Sequence, residues 1–478
     1  MKFITLSSSV ALVMGVLFLS SATEAKPKDH GHSGNSKIKH VVLLSIDGLR
    51  QKDLAEFAAS NPKSTLANLA KTGIEFTNAQ ATKPSDSFPG LIAQLTGGTP
   101  ISTGVWYDDS YDRSLYAPGS NCAGAPGTEV LFDETIDIDG TKINGGGGIN
   151  VKALPLKLTN GKCEPVYPHQ YVRVNNIFEI ARKHGHVTAW SDKHTGAYDI
   201  ARGPSGQGLT ELYSPEIASV PVTGNATAAY DDLHVSAILN WIQGKDAAGV
   251  KHIGAVSVTQ KVNGTPSPEL TAAIQHTDAS IGEIVAGLKA AKIYENTVII
   301  ISPKHGNSPR DVSKLKRVDP TILPSVLGGV EIAHTITDDV GIFWLKNSAD
   351  TFKAASAAYE NADKVHLTTL WAGEGVRLAG FGDPATDPRV PDIIFQSEPG
   401  TIFSLSEKKI AEHGGFNEDE VHVALLVSSP HLKALKKKII DTPVKTTQIA
   451  PTILKLLGLD PAALEAVKLE GTAPLPIF

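Results

Sequence analysis

Only two cysteines occur in the 478 residues, Cys122 and Cys163. Neither has the surroundings of a thiol nucleophile. Both lie in one Gly-rich region, and in an exported chain such a pair reads as a single disulfide closing a surface insertion. A basic domain is missing as well. The net charge is −6 and the short lysine tract at 436–438 is no polycation, so binding to a nucleic-acid polymer is not indicated. Beyond the N terminus no stretch is long and apolar enough to cross a membrane, so no span is expected in the mature protein. Internal repeats are absent, and no linker separates two cores. What remains is an ordinary globular composition, 41% hydrophobic and 20% charged. Its length suits one large α/β domain with insertions.

The N terminus has its own character. Lys2 precedes an apolar run at 10–19, which gives way to small residues ending at Ala25. This is the pattern of a secretory signal peptide over 1–25, cleaved after Ala22 or Ala25, which places the mature protein outside the cytoplasm, secreted or periplasmic. Residues 26–37 read as a disordered leader, and 38–478 as the folded domain.

The continuous apolar run 40–46 predicts a strand buried on both faces, ending in Asp47-Gly48. A helix over 54–71, a strand at 74–78 and a polar loop into Ser87-Phe-Pro-Gly follow. Residues 106–171 break the alternation and predict an irregular cap closed by the disulfide. Then come helices at 177–184, 231–243 and 268–291, with strands at 187–191, 252–258 and 298–302. Further strands are expected at 331–334, 340–345, 365–368 and 421–428, before a closing helix at 446–457. Together these elements predict one three-layer α/β/α sandwich.

Chemistry-bearing residues recur at strand ends: Asp47, Gln260-Lys261, Lys304-His305 and, in E-H-G-G-F, His413. Open α/β sheets place their ligands at that edge. Ser87 falls at a helix start, where free amides and the dipole favour a hydroxyl that must become an alkoxide, although an ordinary capping serine has the same setting. A nucleophilic hydroxyl, Asp and His donors and fixed cations together point to an anion-handling hydrolase. Asp192-Lys193-His194 also ends a strand, and there a structural ion pair is at least as good a reading.

These stretches carry a family resemblance: S-I-D-G-L-R at 45–50, P-S-D-S-F-P-G at 84–90 with L-T-G-G at 95–98, I-I-S-P-K-H-G at 300–306, H-G-G-F at 413–416 and T-T-Q-I-A-P-T-I-L-K-L-L-G at 446–458. The chain resembles the alkaline phosphatase superfamily, in its type I phosphodiesterase/nucleotide pyrophosphatase branch. The resemblance implies Ser87 as nucleophile, Asp47 and His305 as ligands of one metal, and His413 as a ligand of another. Departures accompany it. Lys261 and Thr265 stand where the branch has Asp and His ligands, Lys304 stands where it has an Asp, and Gly90 stands where it has an oxyanion-holding Asn.

A two-zinc centre is therefore not expected. The reading is one divalent ion, zinc, held by Asp47, Ser87 and His305, with Lys261, Lys304 and His413 assisting. Either lysine, if its pKa is depressed, could instead serve as the base for Ser87. The expected reaction is hydrolysis of a small phosphoester, most directly a diester, through a Ser87 intermediate. The alternatives are an inactive superfamily member that binds an anionic ligand or partner, and a sulfatase-like hydrolase. Leu91 disfavours the latter, because sulfatases carry Arg at that point of the motif.

Overall fold

The computed structural model describes residues 14–21, 37–221, 224–247, 268–407, 409–431 and 438–478. At its centre is a mixed sheet. From one edge its strands run Lys438–Ile440, Ile74–Gln80, His422–Ser428, Thr297–Ser302, His40–Ile46, Met14–Ser21, His186–Ser191 and Glu211–Tyr213, with Val444–Lys445 also paired to Ile74–Gln80. His40–Ile46 is buried along its whole length. Its side chains alternate between two cores. Val41 and Leu43 join Phe76, Ile300 and Leu425 under the helices Ser87–Thr96, Ile177–Lys183 and Ile449–Leu456. Val42, Leu44 and Ile46 join Ile299, Ile301 and Leu426 against the helices Gln51–Ser60, Gly224–Ile242 and Pro268–Ala290. Period-two alternation with both faces apolar is what makes the three layers.

The single helix expected over 54–71 is two, Gln51–Ser60 and Thr65–Thr72. Pro62 interrupts the backbone ladder, and Ser64 restarts it by accepting a hydrogen bond from the Ala67 amide at 3.1 Å. Met14–Ser21, inside the expected signal peptide, lies antiparallel between His40–Ile46 and His186–Ser191. The strand expected at 252–258, with Lys261 and Thr265 after it, lies outside the described residues.

The strands expected through 331–368 do not extend the central sheet. Ile332–Thr337, Val340–Leu345, Ile393–Ser397 and Leu367–Ala372 form a separate antiparallel sheet, in that order. One face packs Phe343, Leu345, Ile393 and Phe395 on Val326, Ala354 and Val365. The other packs Ile342, Trp344 and Ile394 on Trp106, Phe381 and Val390. The insertion at 106–171 is more regular than expected. It holds the hairpins Asp109–Asp112/Thr128–Leu131 and Leu156–Thr159/Lys162–Pro165, and Cys122 is disulfide-bonded to Cys163. No helix among the described residues is long and apolar enough to cross a membrane.

Candidate active site

Two neighbouring strands build the floor of the site. His40–Ile46 and Thr297–Ser302 run parallel with Ser45 opposite Ser302. Two residues beyond that pair on each segment come Asp47 and Lys304, which therefore leave the same edge side by side. His186–Ser191 ends on this edge too and delivers Asp192 and Lys193. The helix Ser87–Thr96 points its N terminus at the group. Asp86 is its N-cap, accepting from the Phe88 amide at 3.0 Å, so Ser87 is the first helical residue and Asp86 takes the capping role.

Helix and floor approach closely because residue 90 is glycine. A Cβ built there would stand 2.4 Å from the Lys304 carbonyl oxygen. Any side chain would push the helix off the Lys304-His305 turn. At this distance Ser87 Oγ comes within 3.2 Å of His305 Nε2. The imidazole's other nitrogen, Nδ1, faces the Gly306 carbonyl at 2.8 Å. With Nδ1–H donating there, Nε2 presents a lone pair to the serine. Burial, with the His413 ring beside it, pushes His305 down to about 3, so the ring is neutral.

Asp47 touches almost every other member. Its Oδ2 receives Lys193 Nζ at 3.1 Å and lies 3.7 Å from Lys304 Nζ, while Oδ1 is 3.3 Å from His305 Nε2. Burial alone would raise this carboxyl. Lys193, Lys304 and the two imidazoles outweigh burial and hold it far below the usual range. Lys304 is 1% exposed and donates to Tyr198 Oη at 2.9 Å and Asp192 Oδ1 at 3.4 Å. Burial opposes its charge, but Asp192 and Asp47 prevail and its pKa is raised. The depressed lysine expected as a base is therefore not found at Lys304, which remains an ammonium. Lys193 is shifted the same way, Asp47 overcoming burial. His413 arrives from the loop after Thr401–Ile402 and not from a sheet edge. Its ring stacks on His305 at 3.8 Å and 7°, with Nε2 3.6 Å from Asp86 Oδ1.

The structure thus brings Asp47, Ser87, Lys304, His305 and His413 together; Lys261 lies outside the described residues. Asp192 and Lys193, weighed above as a structural ion pair, join the group, and Asp86 and Tyr198 complete it. For Asp192 and Lys193 the signal was present, since they follow a strand whose neighbours also end in charged residues.

The donors can be tested against a divalent ion. Four-coordinate zinc with ligands at about 2.0–2.2 Å spaces its donors roughly 3.3–3.6 Å apart. The separations of 3.2 Å for Ser87–His305 and 3.3 Å for His305–Asp47 match that spacing. Asp47 Oδ1 is buried and makes no hydrogen bond, as a metal donor should. One ion fits. Toward a second ion the described residues offer His413 Nε2 with Asp86 Oδ1 3.6 Å away, and the expected ligand positions at Lys261 and Thr265 lie outside them.

Residues 41–418 match the family model for type I phosphodiesterase/nucleotide pyrophosphatase. The chain belongs to that family. It is 21% identical over 437 residues to bis(5'-adenosyl)-triphosphatase enpp4 of Mus musculus, covering 90% of this chain and 80% of the relative. Among solved structures, an inactive form of murine ectonucleotide pyrophosphatase/phosphodiesterase 5 in complex with AMP superposes with a TM-score of 0.55 at 16% identity, over 88% of this chain and 94% of that one. Wild-type alkaline phosphatase PafA gives a TM-score of 0.55 at 15% identity, over 91% and 96%. The chain thus has the alkaline-phosphatase-like fold.

Proposed function

We propose that the protein is an exported phosphoester hydrolase in which Ser87 attacks phosphorus as the P–O bond to the alcohol leaving group breaks, and carries the transferred group as a covalent ester until water displaces the serine. The observation that carries this reading is the Ser87 hydroxyl at a helix N terminus, 3.2 Å from His305 Nε2, which itself lies 3.3 Å from the Asp47 carboxylate that Lys193 and Lys304 flank. Ser87 supplies the nucleophile, and the helix dipole favours its alkoxide. Lys193 and Lys304, both protonated, hold Asp47 in place and lend positive charge to the pocket where phosphoryl oxygens would lie. Asp47, His305 and Ser87 would hold one divalent cation. Such an ion supplies Lewis-acid charge at the serine and phosphoryl oxygens. The His305 lone pair cannot both hold an ion and take the serine proton, and the bare Asp47 Oδ1 favours the first use. AMP in the murine relative, and the triphosphatase name of the other, support a nucleotide-like phosphodiester as substrate. The signal-peptide pattern over 1–25 supports export, and cleavage after Ala22 or Ala25 would remove Met14–Ser21 from the sheet.

A second reading, a silent binder of phosphate esters, is favoured by the lysines that occupy expected ligand positions. Hydrolysis of bis-p-nitrophenyl phosphate separates the two. Wild-type protein should turn over, Ser87→Ala should lose about a thousandfold or more in kcat, and a chelator should abolish turnover reversibly. Turnover resistant to chelation but lost in Ser87→Ala would transfer the His305 lone pair to proton acceptance. Turnover retained in Ser87→Ala would end the mechanism, and no turnover on any ester would leave the binder.

A further inference from the structure

A second cluster of metal-type donors lies outside the site described above. Asp109, Glu129 and His334 each offer one donor atom, and these atoms lie within 4.8 Å of one another. In the hairpin Asp109–Asp112/Thr128–Leu131, Asp109 faces Leu131 and Tyr111 faces Glu129. Residues two apart share a face, so Asp109, Tyr111 and Glu129 point the same way. His334 meets them from the separate antiparallel sheet, on strand Ile332–Thr337. Its ring is held by Tyr111, stacked at 6.2 Å and 14°, and by Trp344, tilted at 5.6 Å and 50°. Two aromatic rings thus aim Nε2 at the carboxylates.

The His334 side chain is 11% exposed, and Nε2 is 3.0 Å from Asp109 Oδ1. Yet neither atom has an aligned hydrogen bond, although both are buried. Among the described residues no lysine or arginine pairs with Asp109 or Glu129. A buried, fixed imidazole beside two carboxylates with no built-in cation is a donor set for an ion from solution. We propose that Asp109, Glu129 and His334 bind one divalent transition-metal ion, zinc being the best match, which staples the 109–131 hairpin to the small sheet. The imidazole selects against calcium and magnesium, which take oxygen donors. Glu129 is exposed, so its side chain can close the remaining gap to the roughly 3.3–3.6 Å donor spacing of a tetrahedral ion.

The site also lies where it would matter. Two residues before Asp109, Tyr107 donates to Asp338 Oδ2 at 2.8 Å and lies 3.4 Å from the His413 carbonyl. Asp338 in turn follows the strand that carries His334. The staple therefore joins the two elements that flank the His413 loop, and zinc counted on this protein has two sources.

Equilibrium dialysis against Zn²⁺ with elemental analysis tests this on the mature chain. In an Asp47→Asn/His305→Gln background, which removes two of the three donors of the other site, about one zinc per chain should remain bound. Adding Glu129→Gln should weaken that zinc by about tenfold or more, since loss of even an outer-shell partner costs that much. Zn²⁺ should raise the melting temperature of the background and not of its Glu129→Gln derivative. Absence of zinc from the background, or equal binding after Glu129→Gln, overturns the proposal. Should the background fail to fold, the wild-type chain and its single Glu129→Gln variant serve: a stoichiometry lower by one in the variant supports the staple, and equal stoichiometry overturns it.

Discussion

Two histidines show how the molecule treats its carboxylates in two ways. Around His305 the carboxylates Asp47 and Asp192 already have cations of their own, Lys193 and Lys304, and burial pushes the imidazole down to about 3. Around His334, among the described residues, the carboxylates Asp109 and Glu129 have no lysine or arginine partner. There burial pulls the ring down, but the pair with Asp109 wins and raises it. Charge supplied by the chain is permanent, whereas charge supplied from solution depends on what solution holds. The first region thus neutralises its carboxylates with ammonium groups of the chain, and the second holds a donor set without a lysine or arginine among the described residues.

The sharpest way to break this comparison is at Lys304. Lys304→Met would leave Asp47 and Asp192 buried beside one remaining ammonium, a loss of about 3–5 kcal/mol for breaking a buried pair, read from denaturant unfolding. Lys304→Asp goes further and makes the first region resemble the second. That variant should be at least as unstable without metal, and Zn²⁺ should restore much of the loss. If zinc leaves Lys304→Asp unchanged, the ammonium is not standing in for an ion.

A smaller effect is expected at Gly90. The Cβ of Gly90→Asn would meet the Lys304 carbonyl at 2.4 Å. Overpacking of this kind costs about 1–3 kcal/mol, and displacing Ser87 by about 1 Å lowers turnover by about a hundredfold. A Gly90→Asn variant with wild-type stability and faster turnover would show that the family's oxyanion donor can be restored without cost. That result would detach Gly90 from Lys304.

The smallest effect concerns His234, a third histidine that bears on neither ligand set. It is buried with Nδ1 2.6 Å from Ser191 Oγ, and burial, with Lys304 nearby, pushes it down to about 3. Because the folded-state value lies below the unfolded one, the native state binds fewer protons, and stability falls as pH drops from about 6.5 toward 3. The stability gap between wild type and His234→Gln should therefore narrow by up to about 1.4 kcal/mol per pH unit over that window. A gap independent of pH would show that His234 is already charged in the fold.

Much of this was legible in the chain, for identifiable reasons. Strand His40–Ile46 announces itself because both faces are buried, which needs an unbroken apolar run. Ser87, Asp47, His305 and His413 are legible because each belongs to a short motif whose glycine or proline constrains the backbone beside it. The protonation of Lys304 was not, since it depends on Asp192 and Tyr198, which come to it from over a hundred positions away in sequence. Asp192-Lys193-His194 read as pocket lining or as a structural ion pair, and in the fold Lys193 pairs with Asp47 and Asp192 with Lys304. The separate sheet was missed because alternating strands read alike whichever sheet they join. His334 lacks any motif at all, and only the hairpin register reveals the carboxylates it faces.

The central claim is that a phosphoryl group passes through Ser87. It is tested most directly by mixing the mature protein with bis-p-nitrophenyl phosphate, quenching in acid within a turnover, and mapping adducts by peptide mass spectrometry. The account predicts a p-nitrophenyl phosphoryl ester on the peptide containing Ser87, formed with a burst of nitrophenolate and absent from Ser87→Ala. Steady turnover with no ester at any quench time, undiminished in Ser87→Ala, would contradict it.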